Sequence, residues 1–281
     1  MKTILLLTDF SQNSINAIRY ALNLFKTQEI QYYMLHVKSA SAYTSDDLIA
    51  AGPKPIYQSL IEPAKKKLAS LVDTLQREFS LPENSMEYLV DFDILTNSIQ
   101  QVIASKGIDT IVMGTNGATG AKEVIFGSNT INVIRKVDCP TLVIPEGFEY
   151  RAPNNIVLPL DEGTTLDDTA FTDNIIKFVK TYGKLLHILR IDPHHSKHTN
   201  HAHLDDLEHM EVLKDHVDSH YHTINNIPVY YAVHSYIQTH PIDLVTLITH
   251  KERFFERYLS TSSTARISNN LILPLLIFHS H

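Results

Sequence analysis

Apolar runs alternate with amphipathic stretches along this chain, and that alternation sets the first expectation. Residues 3–8 hold the run Ile4-Leu5-Leu6-Leu7, which suits a strand buried on both faces. From Ser11, a candidate N-cap, Ile15, Ile18, Ala21, Leu22 and Phe25 recur at helical spacing. QYYMLHV (31–37) reads as a second strand, and residues 57–80 as a long helix with Leu60, Leu68, Leu71, Leu75 and Phe79 on one side. MEYLVDF, a helix through Ile99, Val102 and Ile103, DTIVMG, a helix from Ser128 and CPTLVIP complete five strands. Strands separated by helices imply parallel pairing through crossovers.

The plan then repeats. KTILLLTDFS and NNIVLPLDEG share an apolar run ending at Asp9 or Asp161, and YYMLHVK and KLLHILR set His36 against His187. GIDTIVMG and PIDLVTLI align Asp109 with Asp243, a shift that also brings Ser128 onto Ser262 and Pro140 onto Pro274. A duplication follows, with second-half strands near 156–160, 184–190, 227–233, 243–248 and 273–278. The expected fold is α/β, two tandem Rossmann-like domains, each a five-stranded parallel sheet flanked by helices. The boundaries are 1–146 and 154–281, joined by the linker EGFEYRAP.

Composition narrows the class. A chain of 281 residues with 43% hydrophobic content fills two domains, and a net charge of −7 argues against nucleic-acid binding. Cys139 is the only cysteine, so no internal disulfide forms, and its plain role is a small apolar residue beside Pro140. Thr8 and Asp9 end the first apolar run too soon for an export signal, and no stretch suits a membrane span. The expected location is the cytoplasm.

Candidate chemistry gathers in one loop. Of nine glycines, Gly114, Gly117, Gly120 and Gly127 fall within fourteen positions. Gly114 follows a strand, and Gly127-Ser128 opens a helix, whose free N–H groups suit a phosphate. Glycine lets the backbone approach such a ligand closely, and Ser128 and Asn129 add side-chain donors. The competing reading is a turning loop whose serine caps a helix. Gly120-Ala121-Lys122 lacks the spacing and hydroxyl of a Walker loop, and TDFSQNS stands where a dinucleotide motif would lie.

G-x2-G-x9-G-S at Gly114, Gly117, Gly127 and Ser128, with TDFS after strand one and LHV in strand two, resembles the universal stress protein family. The likeness spans residues 1–146 and, more weakly, 154–279, in the manner of the tandem form. It implies an adenine nucleotide alpha-hydrolase-like fold and ATP binding, with Mg or Mn on the triphosphate. Asp9 and Val37 would meet the adenine or ribose, with Leu7, Thr8 and Met113 alongside. Gly114 and Gly117 would line the ribose and triphosphate, and Gly127, Ser128 and Asn129 would hold phosphates. Leu7 stands where many relatives have proline. Relatives dimerise through the last strand, so the resemblance also implies an intramolecular pseudo-dimer, with a homodimer and an unknown protein partner open.

In the second half the glycines become Ile248, Lys251 and Thr261, so one nucleotide per chain is expected. Residues 194–222 carry nine of the sixteen histidines. His194, His198 and His201 have helical spacing and are the candidate metal ligands, with His209, His216 and His220 in part. A solvated, variable helix face is the plainer reading. No nucleophile elbow or paired base occurs, so three functions stand: an ATP-binding regulator, a slow ATPase, and a nucleotide-independent interaction protein.

Overall fold

The computed structural model describes residues 2–38, 56–115, 126–160, 169–192, 213–249 and 273–279. Two compact units emerge, Met1–Tyr150 and Arg151–His281. Unit 1 contains β1 (Lys2–Leu7), α1 (Gln12–Leu24), β2 (Ile30–Lys38), α2 (Ile56–Phe79), β3 (Met86–Phe92), α3 (Leu95–Lys106), β4 (Thr110–Gly114), α4 (Ser128–Lys136) and β5 (Thr141–Ile144). Its strands pair in parallel in the order β3-β2-β1-β4-β5.

The central strand is buried along its length. Ile4, Leu5 and Leu6 are fully buried, so both faces of β1 are covered, as in a parallel sheet flanked by helices. On α1, Ser11 Oγ accepts the Ser14 N–H at 3.2 Å and caps the helix. Ala17, Ile18, Ala21 and Leu22 then form its buried face, while Ile15 stays half-buried.

Unit 2 contains β6 (Asn155–Leu160), α5 (Thr169–Tyr182), β7 (Leu185–Asp192), β8 (Ser219–Asn225), α6 (Val229–Thr239), β9 (Leu244–Thr249) and β10 (Leu275–His279). These strands are also parallel, in the order β8-β7-β6-β9-β10. The strand expected at 227–233 is not there. β-branched and aromatic residues in VYYAV read as strand, but Pro228 caps a helix at φ −56° and Val229, Ala232, Val233 and Tyr236 form its buried stripe. The third strand lies earlier, in SHYHTIN, a polar segment with little burial to signal it.

Register refines the duplication. Ile4 and Ile156 are equivalent through their partners Thr110 and Leu244. On the other side they pair with Tyr32 and Leu186. His187 therefore occupies the position of Tyr33, and Arg190 that of His36. The sequence match of the two histidines is three residues out of register. Asp109 and Asp243 do correspond. The Thr3 N–H donates to Asp109 Oδ2 at 2.8 Å, and the Asn155 N–H to Asp243 Oδ2 at 3.0 Å. Backbone bonds return from Asp109 N to Thr3 O and from Asp243 N to Asn155 O. In each unit the aspartate ties the start of the fourth strand to the start of the first.

The first residues of the supposed linker belong to unit 1. Asn16 Nδ2 donates to the Phe148 carbonyl at 3.0 Å, and the buried Tyr20 meets Tyr150 edge-on with ring centroids 5.2 Å apart. Among the described residues, no helix is long and apolar enough to cross a membrane.

Cys139 is 3% exposed, beside the Ile108 carbonyl, and burial pushes its thiol pKa up to about 12. In native protein at pH 8 it should therefore resist alkylation, because almost no thiolate forms. One thiol per chain should react after denaturation; fast labelling of the folded protein would contradict the burial.

Candidate functional site

In unit 1 the chain leaves β1 toward β2 on one side and reaches β4 on the other, so the strand order reverses between β1 and β4. Loops diverge from the carboxyl ends of such strands and leave a crevice. A cleft of about 480 Å³ opens there. Leu7, Thr8, Asp9, Val37, Met113, Gly114, Gly127, Ser128 and Asn129 all line it. Gly117 and the histidines His194, His198 and His201 lie outside the described residues.

The β1 end of the cleft is held by a tight polar turn. Phe10 has φ 66°, a left-handed conformation unusual for a bulky residue and costing roughly 1–3 kcal/mol. Its own contacts offset this cost. The ring packs on His36 at 4.5 Å between centroids, and Lys67 Nζ sits 4.3 Å above it. The turn lets Phe10 N–H donate to Thr8 Oγ1 at 2.9 Å and Ser11 N–H donate to Asp9 Oδ1 at 3.0 Å. Thr8 Oγ1 and Ser14 Oγ share a hydrogen bond of 3.0 Å.

Burial acts to raise the Asp9 pKa, but hydrogen bonds from Ser11 and Ser14 outweigh it and hold the carboxylate below its ordinary value. His36 donates from Nδ1 to the Thr8 carbonyl at 2.8 Å. Its pKa is lowered, chiefly by burial, with Lys38 and Lys67 adding to the effect. Asp9 is thus an anion at neutral pH, and His36 a neutral strut beneath the turn.

The opposite wall is the start of α4. Gly127 is its N-cap and supplies no side-chain bond to the first turn. The sequence reading of Ser128 as the cap therefore moves by one residue: Ser128 is the first helical residue, and with Asn129 it borders the cleft. Thr130 pins this end in place, donating from Oγ1 to the Thr115 carbonyl at 2.9 Å. The Gly127 N–H donates to the same carbonyl at 2.8 Å. The two ends of the glycine loop are therefore held together at its base.

Other lining residues were not singled out from sequence. Asp93 and Ile94 arrive from the turn after β3, Leu95 and Thr96 from the start of α3, and Asn132 and Lys136 continue the polar face of α4 beyond Asn129. The α4 pair was readable from helical spacing; the others needed the position of β3 in the sheet. Ile94 is 65% exposed, an apolar side chain left open at the cleft edge. Leu7, Leu35, Val37 and Leu95 extend that apolar side, while α4 supplies hydroxyl, amide and ammonium groups.

Gly114 has a cause that the sequence did not show. A Cβ there would stand 2.8 Å from Asn13 Cγ and Nδ2, well inside contact distance. The missing side chain lets α1 lie close against β4, so this glycine is structural as well as cleft-lining.

The sequence model of the universal stress protein family matches residues 1–145, just over half of the chain. The chain belongs to the universal stress protein family. Universal stress protein MJ0531 of Methanocaldococcus jannaschii is 29% identical over 143 residues, covering 51% of this chain and 81% of that protein. Universal stress protein MJ0577 of the same organism is 27% identical over 154 residues, covering 51% and 94%. The crystal structure of a universal stress protein from Archaeoglobus fulgidus aligns with a TM-score of 0.72 at 15% identity. It covers 99% of this chain and 98% of that one, so the fold is shared along the whole sequence.

Gly114→Ala should destabilise unit 1 by about 1–3 kcal/mol through overpacking against Asn13. In a double-mutant cycle with Asn13→Ala, urea unfolding should show a coupling of about 1 kcal/mol or more. Strict additivity would mean that the two residues do not compete for one space.

Proposed function

We propose that unit 1 binds ATP in the cleft between the ends of β1 and β4 and that the chain acts as a nucleotide-responsive stress regulator. The observation that carries this reading is the meeting of an apolar wall with a helix N-terminus inside one cleft. Val37, Leu35 and the open side chain of Ile94 offer a face for a planar base. Gly127, Ser128 and Asn129 offer the α4 N-terminus, whose partial positive charge and N–H groups suit phosphate. About 480 Å³ lies within the range of small-ligand sites.

These residues fit the nucleotide that the family resemblance implies. Gly117 would extend the phosphate loop, and a divalent ion, magnesium or manganese, would ride on the phosphates and water rather than on a protein cage. Binding is favoured over turnover by the chemistry of the cleft. Asp9 is held as a stable anion by its Ser11 hydrogen bond, which makes it a poor proton acceptor. Any hydrolysis would be slow and driven by positioning and charge neutralisation at the phosphates. Unit 2 carries the buried Ile248 at the position of Gly114, so a single nucleotide per chain follows.

Ser128→Glu gives a sharp test, because a carboxylate is favourable at a helix start yet repels a triphosphate. Calorimetric titration should show saturable ATP binding to the wild type and a loss of about 10-fold or more in the variant. Adenosine affinity should change far less. Absence of saturable ATP binding by the wild type would overturn the proposal.

A further inference from the structure

A second group of chemistry-bearing side chains lies in unit 2, on the face of the sheet under α6. His187 of β7 and His220 of β8 are direct cross-strand neighbours. His222, two residues on, points to the same face because side chains alternate along a strand. One ring nitrogen from each of His187, His220 and His222 lies within 4.8 Å of the other two. The imidazoles converge although nothing in strand pairing requires three histidines on one face.

The buried member is prepared for a ligand. His187 is 4% exposed, and its Nδ1 is 2.9 Å from the hydroxyl of Tyr236 on α6. Its Nε2 is buried with no hydrogen-bond partner. Leaving a buried ring nitrogen unpaired forfeits its hydration with nothing in return, so its persistence asks for a partner. His240, at the end of α6, places its ring 5.6 Å from that of His222 and stacks on Tyr236 at 3.9 Å.

We propose that His187, His220 and His222 form a site for a divalent transition metal, zinc above all. His187 Nε2 is the buried ligand, Tyr236 orients it by accepting from Nδ1–H, and the fourth position faces His240 or water. Neutral imidazole is the form a metal requires, and an Nδ1–H donated to Tyr236 leaves the buried Nε2 lone pair free for the ion. A hydrogen bond to the non-ligating nitrogen is the usual device for fixing a metal-binding histidine. Nitrogens on tetrahedral zinc lie about 3.3 Å apart, given bonds of about 2.0–2.1 Å. The rings must therefore draw in by up to ~1.5 Å, which side-chain rotation of the exposed His220 and half-buried His222 supplies.

Three neutral ligands leave the ion its full charge and an exchangeable position. The bound ion would also tie β8, which pairs only with β7 among the described strands, to its neighbour. This site is distinct from His194, His198 and His201, the ligands expected from helical spacing. It arises from strand alternation instead.

The test uses the full chain, stripped of metal with a chelator and titrated with Co2+ while visible absorption is followed. One equivalent should produce tetrahedral cobalt bands, which Zn2+ then abolishes by displacement. His220→Gln/His222→Gln changes solvent-accessible side chains and should preserve the far-ultraviolet dichroism while weakening binding by about 100-fold or more. Tyr236→Phe should weaken it by roughly 10-fold or more. His194→Gln/His198→Gln/His201→Gln should leave affinity within about 3-fold of wild type. No saturable cobalt bands in wild type, wild-type affinity in the folded His220→Gln/His222→Gln variant, or loss confined to the triple variant would each overturn the assignment.

Discussion

The pairing of β1 with β2 on one edge and β4 on the other is the constraint on which unit 1 depends. A strand whose side chains are buried on both faces must place every N–H and C=O in ladder bonds, since water cannot reach them. Running the chain to one side of β1 and then to the other satisfies that demand. It also parts the loops at the carboxyl ends of β1 and β4. The cleft follows from how the core is built.

The same constraint acts in unit 2 around β6, and each unit secures it with the same aspartate. Asp109 and Asp243 accept the N–H of Thr3 and Asn155 and fix the register of the fourth strand against the first. The Asp109 bond is exposed and the Asp243 bond half-buried, so each contributes less than the roughly 1.5–3 kcal/mol of a shielded bond to a charged acceptor. The same bond thus recurs at the equivalent aspartate of each unit, while the equivalent cleft position differs. Gly114 and Ile248 share a register position, yet only the former admits a close-packed asparagine.

Local chemistry was legible where it repeated at a fixed period. The α1 stripe, the Ser11 cap, the apolar strands and the polar edge of α4 all follow from spacing along one element. Misreadings arose where two elements compete for one composition. VYYAV has strand composition but helical burial, and SHYHTIN is a strand with no apolar face to announce it. The cleft residues Asp93 to Thr96 were silent because their role comes from where β3 stands beside β2, more than fifty residues earlier in the chain.

By itself the sequence determined the α/β alternation, the internal duplication and the loop at which glycine gathers. Those are properties of neighbours along the chain, and periodicity records them. Tertiary structure decided which residues from distant segments meet. It set Asn13 against Gly114, and it placed His36 beneath the turn at Asp9. It also brought His187 together with His220 and His222 across a strand pair. Register between strands is fixed by long-range burial and hydrogen bonding. A shift of three residues, invisible to sequence alignment, separates His187 from the position of His36.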